Sequence, residues 1–279
     1  MDSHSHYPQA PKYTPEDTHN YPVDPNSPWS GSVDTQHQEP IPSPRNPEFE
    51  LDASLGTQLA KNTQIPFIRK VYGILFTQLA VTAVWLAIVS ANREAMIHFL
   101  ARRIELLVLA IVGQLVTLYA LGCYKEIARS VPLNYSLLGI FTICMSYLAS
   151  FTTVQFEPKI VLAAGILTAG MVLGLTVYAI QTKDDYTQLG AFMFVLSFSL
   201  LFGCLLFLFI QTYLLYIMIT LLCVVLLGMF IIYDTQLIFS GHSHQFTIDD
   251  YVFAAMVLYI DIIRLFLEVL RLLGALTKK

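Results

Sequence analysis

From Pro66 onwards the chain is a series of apolar segments of about membrane-spanning length, joined by connections too short to fold by themselves. Seven segments can be marked, at roughly 71–89, 106–124, 134–154, 160–180, 189–210, 213–239 and 251–273. The run from Leu189 to Phe239 is 51 residues with one polar break, Gln211-Thr212, so it must double back as two helices. Backbone surrounded by hydrocarbon has to satisfy its own hydrogen bonds, which a helix does within one segment. Pro132 and Pro158 stand at helix starts, where a missing N–H does no harm. Short connections force neighbouring helices to run antiparallel. The prediction is an all-α integral membrane protein, a seven-helix bundle over residues 66–279.

Composition agrees. The chain is 55% hydrophobic and 13% charged, against about 25% charged residues in soluble domains. Its net charge of −4 is uneven: residues 1–62 hold nine acidic and three basic side chains. That stretch also holds ten of the thirteen prolines, a composition that buries too little apolar surface to offset ordering entropy. Residues 1–65 are therefore expected to be a disordered Pro-rich tail, with Ser27-Pro28 and Ser43-Pro44 as possible phosphorylation points. His4 and His6 are too sparse for a metal site. A polar tail of this length leaves no cleavable signal peptide in view, so the first span is expected to serve as its own targeting signal. No concentrated basic patch is present, and nucleic acid is not an expected partner. Cys123, Cys144, Cys204 and Cys223 have no metal-ligand spacing and read as single buried thiols.

Within these spans the informative residues are the polar ones. Asp261 lies in the middle of the last apolar segment, where a charge is costly. Helical spacing puts Asp250, Ala254, Asp261, Arg264 and Glu268 on one stripe, with Val, Leu, Ile, Phe and Met elsewhere. Such a helix needs apolar surroundings on most sides and an interior polar site on one. Asp234, in Tyr233-Asp234-Thr235-Gln236, is near the end of the sixth segment. A connection of about ten residues makes segments six and seven neighbours, so that Asp234 and Asp261 can meet. Two carboxyls in an apolar site share one proton. Removing it leaves two repelling charges, relieved by opening the bundle or by a hard cation such as Ca²⁺, which prefers oxygen ligands. The plainer reading is that each Asp caps or hydrogen-bonds a neighbour, Asp261 with Arg264 and Asp234 with a Thr or Tyr hydroxyl. Arg264 can pair with Asp261 or with Glu268. His242 and His244, in the next connection, read as solvated. Lys183-Asp184-Asp185 reads as a solvated turn. Gly170 and Gly174 form a GxxxG whose small face is expected to pack within the monomer. No catalytic constellation is present and no enzyme activity is expected.

Sidedness rests on basic residues. With seven crossings and a cytosolic N-terminus, six lie inside and seven outside. A last segment that enters and returns changes this to nine against four, which the positive-inside rule prefers.

Phe230-Ile231-Ile232-Tyr233-Asp234-Thr235, Asp249-Asp250-Tyr251-Val252 and Leu258-Tyr259-Ile260-Asp261-Ile262-Ile263 resemble the signature of the Bax inhibitor motif family, Lifeguard-like branch. Phe67-Ile68-Arg69-Lys70-Val71-Tyr72 and the stretch Gly174 to Lys183 match as well. The resemblance implies a central C-terminal helix surrounded by six others. It also implies endomembrane residence in Golgi or endoplasmic reticulum, negative regulation of apoptosis, and a pH-sensitive calcium leak governed by Asp234 and Asp261. Ca²⁺ and H⁺ would be the moving species, with transient metal contact at the two aspartates and no cofactor. Tyr233, Asp250, Arg264 and Glu268 would modulate the pair. Membrane or apoptosis-regulating proteins would be partners. Two positions depart from the family pattern: Arg264 stands where Asn is usual, and Met145 where many relatives carry Glu. Two alternatives remain, a non-conducting scaffold in which Arg264 locks the pair, and a proton-coupled transporter or receptor-type protein.

Overall fold

The computed structural model describes residues 47–240 and 250–277, with side chains from residue 65. Nine α-helices follow in order within them: α1 Pro47–Ala91, α2 Arg93–Arg102, α3 Ile104–Cys123, α4 Lys125–Arg129, α5 Leu133–Thr153, α6 Pro158–Gln181, α7 Gly190–Phe209, α8 Tyr213–Ser240 and α9 Tyr251–Thr277. A 3₁₀ turn, Tyr186–Leu189, precedes α7. Among the described residues there is no strand.

Six segments are long and apolar enough to cross a membrane: Ile65–Ala91, Ile104–Cys123, Leu133–Thr153, Pro158–Gln181, Tyr186–Phe209 and Tyr213–Phe239. The chain thus reads as a multi-pass membrane protein, its helices where the apolar runs placed them. The expected seventh segment forms a helix, α9, but does not join these six, because Asp261, Arg264, Glu268 and Arg271 interrupt its apolar run. Nor does α9 enter and return. It is unbroken, and Tyr213 Oη at the start of α8 donates to the Ala275 carbonyl 2.9 Å away in its last turn. The two helices therefore run antiparallel along their length.

Other expectations change at their edges. The tail was expected to reach residue 65, yet α1 begins at Pro47. No proline interrupts 48–65, and Leu, Ala, Gln, Glu and Lys there are good helix formers. Residues 1–46, with the Ser-Pro and His pairs, lie outside the described residues, as do His242 and His244. The connection expected at 91–104 is largely α2, which has Glu94 in its first turn and Arg102 in its last, each complementing the helix dipole. Leu100 of α2 packs with Val89 and Val154, and Arg93 Nε donates to the Val154 carbonyl at 2.9 Å.

Helices α3 and α5 approach closely at Gly113, where a Cβ would stand 3.0 Å from Cys144 Sγ. On α6 the packed small residues are Ala164, Thr168 and Ala179. Gly170 and Gly174 instead face outward with nothing near them, so the GxxxG does not pack within the monomer as expected. The cysteines are unpaired as expected, but Cys123 and Cys204 are exposed rather than buried, on helix faces turned outward. The connection after α6 is held by Gln236 of α8, which accepts from Tyr186 N at 2.8 Å and donates to Asp184 O at 2.9 Å. Beside it, Asp185 accepts from Thr187 N and Oγ1, which hold its carboxyl below the usual carboxylate range.

The main apolar core lies around α9. Val252, Ala255, Met256, Leu258, Tyr259, Leu265 and Leu270 are each at most 1% exposed. Alpha9 packs against α4, α5, α6 and α8. One stripe of α9, through Val257, Ile260, Arg264 and Leu267, is less covered.

Candidate functional site

Two polar faces of α9 are buried, and they point to different neighbours. The first faces α8. Asp234 and Asp261 are each 8% exposed, and their carboxyls lie within interacting reach of one another. Two carboxyls placed this way in a low-dielectric site do not both ionise cheaply. Antiparallel packing of α8 and α9 produces this meeting from positions far apart in sequence. The neighbouring Thr235 is fully buried. Tyr72 of α1 turns its phenol towards the Thr235 hydroxyl, and neither oxygen has a hydrogen-bond partner among the described residues. The Tyr72 ring also meets Phe239 edge-on at 6.0 Å, bringing α1 over the end of α8.

The other expected residues of this site are not gathered around the pair. Asp250 is claimed by Arg129 of α4, whose Nε and Nη2 donate to its two oxygens at 2.9 and 3.1 Å. Next to it, Lys70 Nζ stands 4.9 Å from the centre of the Tyr251 ring. Together these contacts tie α1 and α4 to the first turn of α9. Glu268 accepts from Arg271 Nη1 at 2.7 Å, not from Arg264. Arg264 is exposed and makes no hydrogen bond or ion pair among the described residues. It reaches Asp261 only through space. The expected single stripe is thus split: Asp250, Ala254 and Asp261 turn inward, and Arg264 turns out. Tyr233 lies one residue, and so about 100° of helix rotation, from Asp234. Its ring faces the start of α7 at Gly190.

The second face was missed in the sequence. Tyr259 Oη lies 2.8 Å from Thr82 Oγ1 of α1, which lies 2.9 Å from Ser146 Oγ of α5. One turn away Gln78 Nε2 donates to Thr142 Oγ1 at 3.0 Å, and towards the other end Trp85 Nε1 donates to Ser150 Oγ at 2.8 Å. The signal was present as spacing. Thr142, Ser146 and Ser150 recur every four residues on α5, and Gln78, Thr82 and Trp85 follow steps of four and three on α1. Hydroxyls are common in membrane helices, where each can bond the carbonyl one turn back, so spacing alone did not set these apart. Met145, next to this row, accepts from Gln114 Nε2 at 3.2 Å.

Among the described residues no group of three or more His, Cys, Asp or Glu side chains comes together. Two carboxyls fall short of the six to eight oxygens that a resident Ca²⁺ takes.

Residues 65–278 match the model of the family described as "Inhibitor of apoptosis-promoting Bax1". Mouse protein lifeguard 4 is 34% identical over 83% of this chain and 95% of its own length. Human protein lifeguard 3 is 31% identical over 75% of this chain and 68% of its own. The Golgi anti-apoptotic protein of vaccinia virus is 31% identical over 83% of this chain and 95% of its own.

Proposed function

The chain belongs to the family of inhibitors of apoptosis-promoting Bax1, and from that premise we propose that it restrains apoptosis from an endomembrane, Golgi or endoplasmic reticulum, through a calcium leak governed by Asp234 and Asp261. The name of the vaccinia relative supports both the compartment and the role. One observation carries the mechanism: two carboxyls buried close together between α8 and α9.

The mechanism follows from charge. While one proton is shared, the pair is a single delocalised anion. Withdrawing that proton leaves two like charges in an apolar site, where their repulsion is poorly screened. Separation of α8 from α9, or entry of a hard cation, relieves it. Arg264 acts on Asp261 through space. The outward position of Arg264 supports a pair that is not locked by it. The architecture proposed for this function is a seven-helix bundle with α9 at its centre, supported by the burial of α9 and its packing on four other helices. Apoptosis-regulating membrane proteins would be partners.

Calcium efflux from proteoliposomes holding the full chain, measured across pH, tests this. Efflux is expected to rise with pH, and Asp261→Asn to remove that dependence. Arg264→Asn is expected to change efflux little. Silence from all three proteins would sink the leak. Efflux only from Arg264→Asn would favour the locked scaffold instead.

A further inference from the structure

Helices α1 and α3 are joined through α2 rather than by a tight turn, and over α5 they stand apart. A groove of about 290 Å³ lies between them. Each helix lines it with a pair of residues four apart: Val81 and Trp85 of α1, Leu106 and Ala110 of α3, Ile143 and Tyr147 of α5. Four residues are about 6 Å along a helix axis, so the groove is about one turn deep. Its deeper end closes where α3 meets α5 at Gly113 and Cys144. Its shallow end lies by α2, where Trp85 and Tyr147 pack against Val89, Leu100 and Val154. Val81 and Ile143 are exposed, so the groove opens sideways on lipid.

No charged residue lines this groove. Two of its polar side chains are matched: Trp85 Nε1 donates to Ser150 Oγ at 2.8 Å, and Ser146 Oγ donates to Thr142 O at 2.7 Å. The third is not. Tyr147 Oη is buried in the wall and has no hydrogen-bond partner among the described residues. A buried hydroxyl in that state carries the full cost of its lost water, and hydrocarbon has no water to relieve it. The occupant these features select comes from the bilayer, is apolar on every side, is uncharged and carries one small polar group at its shallow end. An acyl chain lacks that group, and a phospholipid brings a phosphate to a wall that offers it no cation. A sterol has a rigid, flat ring body with one hydroxyl, and it lies in a leaflet with that hydroxyl outermost. The Trp85 indole, fixed by Ser150, gives the rings a preformed flat wall, which keeps the ordering cost of binding low.

We propose that this groove is a sterol site, with the ring system between Trp85, Leu106 and Ile143 and the 3-hydroxyl meeting Tyr147 Oη after a small turn of the phenol. Its volume is at the lower end of ligand pockets, about 300–1,000 Å³. It therefore takes the ring system and leaves the sterol tail in the bilayer. The sterol touches α1, α3 and α5 together, so its binding stabilises the bundle at their junction. The site is separate from the carboxyl pair and does not rest on the leak reading.

The test uses the full chain in phosphatidylcholine vesicles containing cholesterol with a diazirine on its ring system. After irradiation the labelled peptides are mapped by mass spectrometry. Labelling is expected to saturate and to fall on α1, α3 and α5 around the groove. Unlabelled cholesterol is expected to displace it about fivefold better than the analogue with hydrogen in place of the 3-hydroxyl. Tyr147→Phe, which keeps the ring, should weaken labelling by a similar factor, and Val81→Trp, which fills the groove from its exposed edge, should abolish it. Labelling that does not saturate and is as dense on the outward face of α7 would show bulk lipid contact and overturn the site. Saturable labelling that the deoxy analogue displaces equally well, or that Tyr147→Phe leaves unchanged, would show a groove filled by any apolar chain and overturn the sterol. The competition uses the unaltered protein, so a variant that fails to fold does not decide the outcome.

Discussion

Helices α7 and α9 invert the rule that works for soluble proteins. Alpha7 carries no charged residue and buries only Met193 and Leu200, while Phe194, Phe202 and Leu208 face outward. Alpha9 carries Asp261, Arg264, Glu268 and Arg271, yet buries fifteen residues. Lipid tails are as apolar as leucine, so an apolar side chain gains nothing by leaving them for a protein interior. A carboxyl gains a partner and is spared hydrocarbon. In such a bundle polarity draws a helix inward, and close packing then holds it there.

The inversion can be broken most directly by truncation. Leu265→Ala on α9 should cost about 2–5 kcal/mol, from the cavity it leaves in a packed core. Phe202→Ala on α7, 59% exposed, should fall within about 0.5 kcal/mol of wild type. Reversible unfolding in mixed micelles measures both, and similar losses at the two sites would end the contrast.

Glycines sharpen it at a smaller scale. A Cβ on Gly274 of α9 would overlap the Phe156 ring, whereas Gly170 of α6 has open space around it. Gly274→Ala should cost about 1–3 kcal/mol by overpacking. Gly170→Ala should be neutral or stabilise by about 0.5–1 kcal/mol through helix propensity. The same unfolding assay separates them, and a destabilising Gly170→Ala would show that this face is covered after all.

The smallest effect lies outside the spans, at Asp185. Hydrogen bonds from Thr187 lower its folded pKa, so its contribution is present above the unfolded value and lost as pH falls through the folded one. Protection of the Thr187 amide, its exchange rate set against the intrinsic rate at each pH, should therefore fall only in acid, and Asp185→Asn should flatten that dependence. Wild-type protection that does not fall in acid would remove this cap.

Much of this was legible from apolar runs. The described helices follow them closely, because twenty apolar residues in lipid have few alternatives to a helix. Asp234 and Asp261 stood out for the same reason: a carboxyl at that depth has to be explained. Less was visible at Asp250, Arg264 and Glu268. Helical spacing set them on one stripe, but their partners Arg129 and Arg271 depend on which helix lies opposite and on local rotamers. The Thr82–Ser146–Tyr259 cluster was hidden more deeply, since each hydroxyl alone is unremarkable on a membrane helix.

By itself the sequence determined an all-helical membrane chain, the order and approximate ends of its helices, and the two carboxyls that needed an interior place. Those are properties of single segments, set by hydropathy and by the cost of an exposed charge. Tertiary structure decided that Asp234 and Asp261 come together, that Arg264 turns outward, and that Tyr259 joins α1 and α5. A contact between helices depends on rotation, register and neighbour order together. No one segment encodes those, and in lipid they are chosen by packing and hydrogen bonding over the assembled bundle.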